Sequence, residues 1–292
     1  MTVSTTHTTT YLYSDPVSIC HTEVHLAPRD CPHQRLISHE LSVTPNPAFR
    51  VSRRDYFGNE ITIFTIQEPH QTLNITARNE IEIRSGPEYS FPPAAAQTPP
   101  WEQIPREIRT GKTDEIFRAS EFLYRSPFVR PSPDCEAYGR QSFTPGRPLL
   151  EASLDLCHRI FSDFRYDPRA TTISTPVAEV LAKRSGVCQD FAHLMICCAR
   201  SLGLPARYIS GYLRSNARTL GGEASHAWCA IFCPELGWLE FDPTNDVMPA
   251  GNHVTIAHGR DYSDVAPVVG VALGGGEQLI NVSVSVLPPA AN

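Results

Sequence analysis

The sequence predicts an α+β protein preceded by an all-β domain, and three observations carry that reading. Residues 11–86 hold short, partly alternating apolar runs broken by Pro and Asn-Pro, the pattern of an antiparallel sandwich or barrel. Residues 87–148 hold 11 of the chain's 26 prolines. From residue 149 apolar residues recur at helical spacing and then give way to further strands, the order of an α+β domain. The expected division is a β-domain over 1–86, a connector over 87–148 and a chemical core over 149–292.

In the first part, strands are expected at 18–26, 35–43, 60–66, 73–77 and 80–83, with Phe57-Gly58-Asn59 turning the chain before the third. No group of chemically useful residues assembles there, so a binding or helper role is expected. Proline cannot donate to a ladder, so the connector is expected to hug the surface, with one short helix at 114–123.

Leu150, Leu154, Cys157, Ile160, Phe161 and Phe164 then mark one face of a helix. Thr175 and Pro176 fit the N-cap and first position of a second, ending near Gly186. A third runs from Cys188 to about Leu202, with Phe191, Met195, Cys198 and Leu202 on its apolar face, Gly203 past its end and Pro205 as a stop. Strands should follow at 206–213, 226–233, 238–242, 265–271 and 278–287.

The whole-chain quantities narrow the class. The 292 residues are 41% hydrophobic and 19% charged, an ordinary globular balance. A net charge of −6 without a basic run argues against nucleic acid or an anionic membrane as main partner. No apolar stretch reaches the ~18–20 residues of a membrane span, and the Thr-rich start lacks the features of a signal peptide. Nine irregularly spaced cysteines do not form a disulfide framework, so a reducing cytoplasm is the expected location.

One cysteine is placed to react. Cys188 opens a helix, where the dipole and unpaired N–H groups favour a thiolate. A thiolate nucleophile needs a histidine base, and the histidine an orienting carboxylate. Downstream, His226 begins one strand and Asp242 ends the next. If Cys233 pairs with Gly237 around Pro234-Glu235-Leu236, Asp242 falls opposite Trp228, two residues from His226 and on its face. Pairing Cys233 with Trp238 instead would put the two on opposite faces. The Cys188 backbone N–H could serve a tetrahedral oxyanion. Zinc is disfavoured: His193 with Cys197 and Cys229 with Cys233 lack metal-site spacing, the last pair lying ~13 Å apart along a strand. No metal and no cofactor is expected. Gly274-Gly-Gly276 reads as a hairpin or loop, and Asp261 and Asp264 as turn residues.

Four segments, Gly-Val-Cys-Gln-Asp-Phe-Ala-His (186–193), Arg-Ser-Leu-Gly-Leu-Pro-Ala-Arg-Tyr-Ile-Ser-Gly-Tyr (200–212), Ser-His-Ala-Trp (225–228) and Gly-Trp-Leu-Glu-Phe-Asp-Pro-Thr-Asn (237–245), closely resemble the bacterial transglutaminase-like family. Gly259-Arg-Asp-Tyr-Ser-Asp-Val-Ala-Pro267 is similar to a further motif of its bacterial members, and residues 11–86 resemble the β-domain that often precedes the core. The resemblance implies a papain-like fold with a Cys-His-Asp triad: Cys188 as nucleophile, His226 as base, Asp242 as orienter. It also implies a place near the cleft for Tyr166, as a second oxyanion donor; Trp228 and Trp238 are candidates to wall the site, with a core position the favoured alternative for both. The expected substrate is a peptide or protein amide. Members include amide cross-linkers, peptidases, deglycosylating amidases and inactive copies, so transfer, hydrolysis and a silent binding role stay open.

Overall fold

The computed structural model describes residues 1–84, 97–214, 220 and 225–287. Its first element is a 23-residue strand, β1 (Thr2–Val24). The Thr-rich start, which carried no expectation of structure, is a strand because threonine is β-branched and alternates here with buried positions. Val3, Thr5, His7 and Thr9 all point inward. Four more strands follow: β2 (Gln34–Thr44), β3 (Phe49–Arg54), β4 (Glu60–Ile66) and β5 (His70–Ile83). The expected strands at 73–77 and 80–83 are one continuous element, and β3, which is exposed throughout, was not foreseen.

Helices α1 (Gln103–Thr110), α2 (Asp114–Ser120), α3 (Pro133–Arg140) and α4 (Leu149–Asp163) come next. Residues 87–96 of the expected connector lie outside the described residues. The rest is not a surface strap: Trp101, Ile104, Val129, Tyr138 and Phe143 are buried in the main core. The prolines permit this because Pro105 and Pro133 sit in first helical turns and Pro148 at an N-cap, where no intrahelical N–H is lost.

The chemical core continues with β6 (Arg165–Tyr166), α5 (Val177–Lys183), β7 (Ser185–Gly186), α6 (Cys188–Ser201), β8 (Ala206–Leu213), β9 (His226–Cys233), β10 (Gly237–Phe241) and β11 (His253–Gly259). α5 starts one residue later than expected, with Pro176 at its N-cap and the Thr175 hydroxyl accepting from the Thr172 N–H instead. The core sheet has the order β10-β9-β8-β11, and α6, buried from Asp190 to Arg200, packs on it. β11 was not expected from the sequence.

The last two strands, β12 (Val268–Gly274) and β13 (Gln278–Leu287), do not extend the core sheet. Both pair with β1, making the N-terminal sheet seven-stranded and curled. The division of the sequence at residue 149 therefore does not divide the sheets. Gly274, Gly275 and Gly276 take φ of 95°, 91° and 59° and carry the chain past Ser14-Asp15-Pro16. They join two strands laid end to end along β1, rather than a hairpin whose arms pair.

The β-domain has a small core of its own, including Val17, Val24, Leu41, Phe64, Ile66 and Ile75. Val3, Ile81 and Ile83 instead enter the main core. Two side-chain amides clasp the edge strand β11. Gln34 donates to the Thr255 carbonyl at 2.7 Å and accepts from its N–H at 2.9 Å. Asn59 does the same for His258 at 2.9 and 3.0 Å. An open edge that could pair with another chain is thereby closed.

Candidate active site

The site is assembled at the start of α6, the starts of β9 and β11 and the end of β10, with β8 lying between β9 and β11. β6 and β7 pair in parallel with Tyr166 beside Gly186, so the tyrosine lies against the approach to Cys188. Asp190, at the third position of α6, accepts from the Val187 N–H at 2.8 Å and from the Thr171 hydroxyl at 2.6 Å. A carboxylate there satisfies an N–H that the helix cannot. It also fills the space over Gly186: a Cβ on that residue would stand 2.7 Å from the Asp190 carboxylate.

The hairpin takes the register that brings histidine and aspartate together. Gly237 pairs with Cys233 and Phe241 with Cys229, so Asp242 follows on the face of His226. His226 Nε2 donates to Asp242 Oδ2 at 2.8 Å. Both side chains are fully buried. The same oxygen accepts from His253 Nε2 at 3.1 Å and Asn245 Nδ2 at 2.9 Å, and Oδ1 accepts from the Thr244 N–H at 3.0 Å. Burial alone would raise the Asp242 carboxyl, but the His226 charge and hydrogen bond, followed by those of His253, outweigh it and hold the group below its ordinary range. Burial likewise opposes the imidazolium of His226, yet Asp242 and then Cys188 carry that ring up to about 10. No hydrogen bond of ordinary length joins Cys188 and His226, and the ring's Nδ1 is unpaired. Catalytic contacts are often this loose before substrate binds.

Cys188 and Cys31 are the cysteines that are not fully buried. Tyr166 is half-buried, and its hydroxyl is pushed up to about 12 by burial and by the nearby Cys188, so it stays a hydrogen-bond donor. Trp228 does not wall an open site. It is fully buried, its indole N–H donates to Glu240 at 2.8 Å, and its ring packs edge-on against His253. It backs the histidines and has no free donor for a substrate.

His226, Asp242 and His253 place their donor atoms within 4.8 Å of one another, which is the metal-competent grouping among the described residues. The His193 and Cys197 pair weighed for zinc does not converge: His193 Nε2 accepts from the Tyr262 N–H at 3.2 Å, while the Cys197 thiol donates to the Arg130 carbonyl. Asp261 caps the turn at 262–264 and also accepts from the Phe128 N–H at 2.7 Å, and Asp264 pairs with Arg260 at 2.9 Å. Sequence reading missed His253, and also Arg200, whose buried guanidinium donates to the Ala206, Tyr124 and Arg260 carbonyls and holds the end of α6.

Residues 3–82 match the family described as the bacterial transglutaminase-like N-terminal region, and residues 137–243 match the transglutaminase-like superfamily. This chain belongs to the bacterial transglutaminase-like family. An uncharacterized protein of Mycobacterium tuberculosis strain H37Rv is 39% identical to this transglutaminase-like chain over 295 residues, covering 97% of this chain and 91% of that one. A protein-glutamine gamma-glutamyltransferase of Pseudomonas aeruginosa is 30% identical over 122 residues, 36% of this chain and 18% of that one. A candidate cysteine protease of Cytophaga hutchinsonii shares the fold, with a TM-score of 0.75 and 20% identity over 100% of this chain and 92% of that one. The transglutaminase-like family is one of cysteine-dependent amide chemistry. Among the described residues no helix is long and apolar enough to cross a membrane.

Proposed function

We propose that the protein is a cysteine-dependent acyl-transfer enzyme acting on amides of peptides or proteins, with Cys188, His226 and Asp242 as its catalytic residues. The observation that carries the reading is the 2.8 Å bond from His226 Nε2 to Asp242 Oδ2, in a ring whose other nitrogen is free and whose proton affinity Cys188 raises. In this reading the Cys188 sulfur attacks the amide carbon and the protonated His226 gives its proton to the leaving amine. A thioester remains on Cys188. An amine or a water then attacks the thioester, returns a proton to His226 and releases the sulfur. The helix start leaves the Cys188 N–H without a partner in its own helix, and it and the Tyr166 hydroxyl are the donors assigned to the oxyanion. The partial likeness to a gamma-glutamyltransferase supports a glutamine carboxamide as acyl donor.

Intact-mass spectrometry tests this directly. Protein incubated with a glutamine-containing peptide should gain the peptide mass less ammonia, at Cys188 and not in Cys188→Ala. A lysine-containing peptide should then remove the adduct as an isopeptide, and water alone should release the free acid. Prior treatment with limiting iodoacetamide should label Cys188 before Cys31, whose thiol burial pushes up to about 12. An adduct that forms equally on Cys188→Ala overturns the assignment.

A further inference from the structure

A cavity of about 980 Å³ lies away from Cys188, closed by three parts of the chain that are distant in sequence. The β-domain contributes Arg29, Tyr56 and Phe57. The segment through α2 contributes Phe117 and Phe122, and the core sheet contributes Arg207, Trp238 and His258. Tyr56 and Phe117 are 77% and 71% exposed, large aromatic side chains left facing the opening. A volume of this size is at the upper end of small-molecule sites, which commonly form where domains meet.

Arg207 is the unusual member. Its guanidinium lies 4.3 Å over the Trp238 ring. Its Nε is buried without a hydrogen-bond partner, and among the described residues no carboxylate pairs with it. Glu240 is the acid that favours its charge through space, but that carboxylate accepts from Trp228. Burial lowers Arg207 to about 10, so it is still charged at neutral pH. A guanidinium offers five donors in a planar fork, and leaving one of them buried and unanswered is costly. The second cation, Arg29, is already engaged by the Asn59 side chain and the Phe57 carbonyl. Burial, then Arg207 and Arg29, keep His258 well below its ordinary value, and therefore neutral.

The charges around the cavity narrow what could answer Arg207. Arg29, Arg118 and Arg207 line it together with Asp114, Glu115 and Glu121, so the lining has no surplus of cations to neutralise a multiply charged phosphate. A single carboxylate adds one negative charge and matches the fork in two-point geometry. The aromatic side chains at the mouth favour a flat apolar body behind it. We propose that this cavity binds an aromatic carboxylic acid, with the carboxylate on Arg207 and the ring against Tyr56, Phe117 and Phe122. The ligand is either a free acid or the C-terminal residue of a peptide. The β-domain then has a definite task, to supply one wall of a ligand site.

The test uses the full chain labelled with ¹⁵N and four probes: indole-3-acetate, indole-3-acetamide, the peptide Gly-Gly-Phe and its C-terminal amide. The acids should shift the Trp238 indole resonance in a saturable way, and each amide should bind at least tenfold more weakly. Whichever acid has the lower Kd by calorimetry identifies the source. Arg207→Gln should weaken acid binding at least tenfold while Cys188 keeps its rate of labelling by iodoacetamide. Should that variant not fold, the acid-against-amide comparison on the unaltered protein decides alone. Equal binding of acid and amide, undiminished binding by folded Arg207→Gln, or shifts at Trp101 or Trp228 in place of Trp238 would overturn the proposal. Inorganic phosphate binding as tightly as the acids would overturn the carboxylate assignment.

Discussion

Four donors converge on the Asp242 carboxylate, and two of them are imidazoles. An anion held this firmly fixes the His226 tautomer, with the proton on Nε2 and Nδ1 left for the thiol. Asp242→Asn should leave the fold in place and lower the rate by roughly 10²–10⁴-fold, the range of general acid–base catalysis. Its pH profile should change as well. His226 is held at about 10 against an ordinary 6.5, so its stabilisation is complete below pH 6.5 and is lost as the pH rises toward 10. Asp242 sits below its ordinary 3.8, so its stabilisation is present above that pH and is lost as the pH falls further. Thermal unfolding across pH should show this loss on the alkaline side in the parent protein and not in the variant. His253 is a positioning residue in this network. His253→Gln should cost on the order of tenfold in kcat, as expected for a hydrogen bond to a charged group, with KM unchanged and the alkaline limb moved to lower pH. A purely structural role for His253 would leave that limb where it is. The triad could be read in the sequence because each member sits in a short motif and the hairpin arithmetic decides the face. His253 could not, since a lone histidine carries no pattern and its strand was itself unrecognised.

At the scale of the element, the start of α6 matters most, because it carries Cys188. A buried carboxylate, a threonine hydroxyl and a glycine hold that start together. Asp190→Ala removes the acceptor of the Val187 N–H. It should cost about 0.5–2 kcal/mol, the usual value of an N-terminal cap, and slow Cys188 alkylation by loosening the first turn. Calorimetry and timed labelling would read the two effects separately. Helices with clear periodicity, α4 and α6, were legible to within a residue or two. In the proline-dense stretch α2 falls where a helix at 114–123 was expected, but α1 and α3 were not legible, because proline content alone does not tell a first helical turn from a loop. β11 was missed because its edge is completed by Gln34 and Asn59, which lie about 200 residues away and leave no local trace.

For the whole molecule, the sheet pairing replaces the two-domain picture. A C-terminal piece released by cutting within 97–148 would keep Cys188, His226 and Asp242 but would leave β12 and β13 without β1. The main core would also lose Val3, Ile81 and Ile83. Such a fragment should unfold or aggregate on release, and circular dichroism with Cys188 labelling would show it. A fragment that stays folded and labels normally would mean the shared seam contributes little. Local alternation pointed to strands but not to their partners, because pairing across the length of the chain leaves no periodic signature.

β1 also sets an order of events during synthesis. Its first residues meet β5 after about eighty amino acids, but Ser4 finds Leu287 only after β6 to β12 have been made. Until then one side of a 23-residue strand is unpaired, and an exposed edge invites pairing with whatever is near. The ribosome therefore holds the β-domain incomplete while Cys188, His226 and Asp242 are being made, and the sheet can close only after all three have been added.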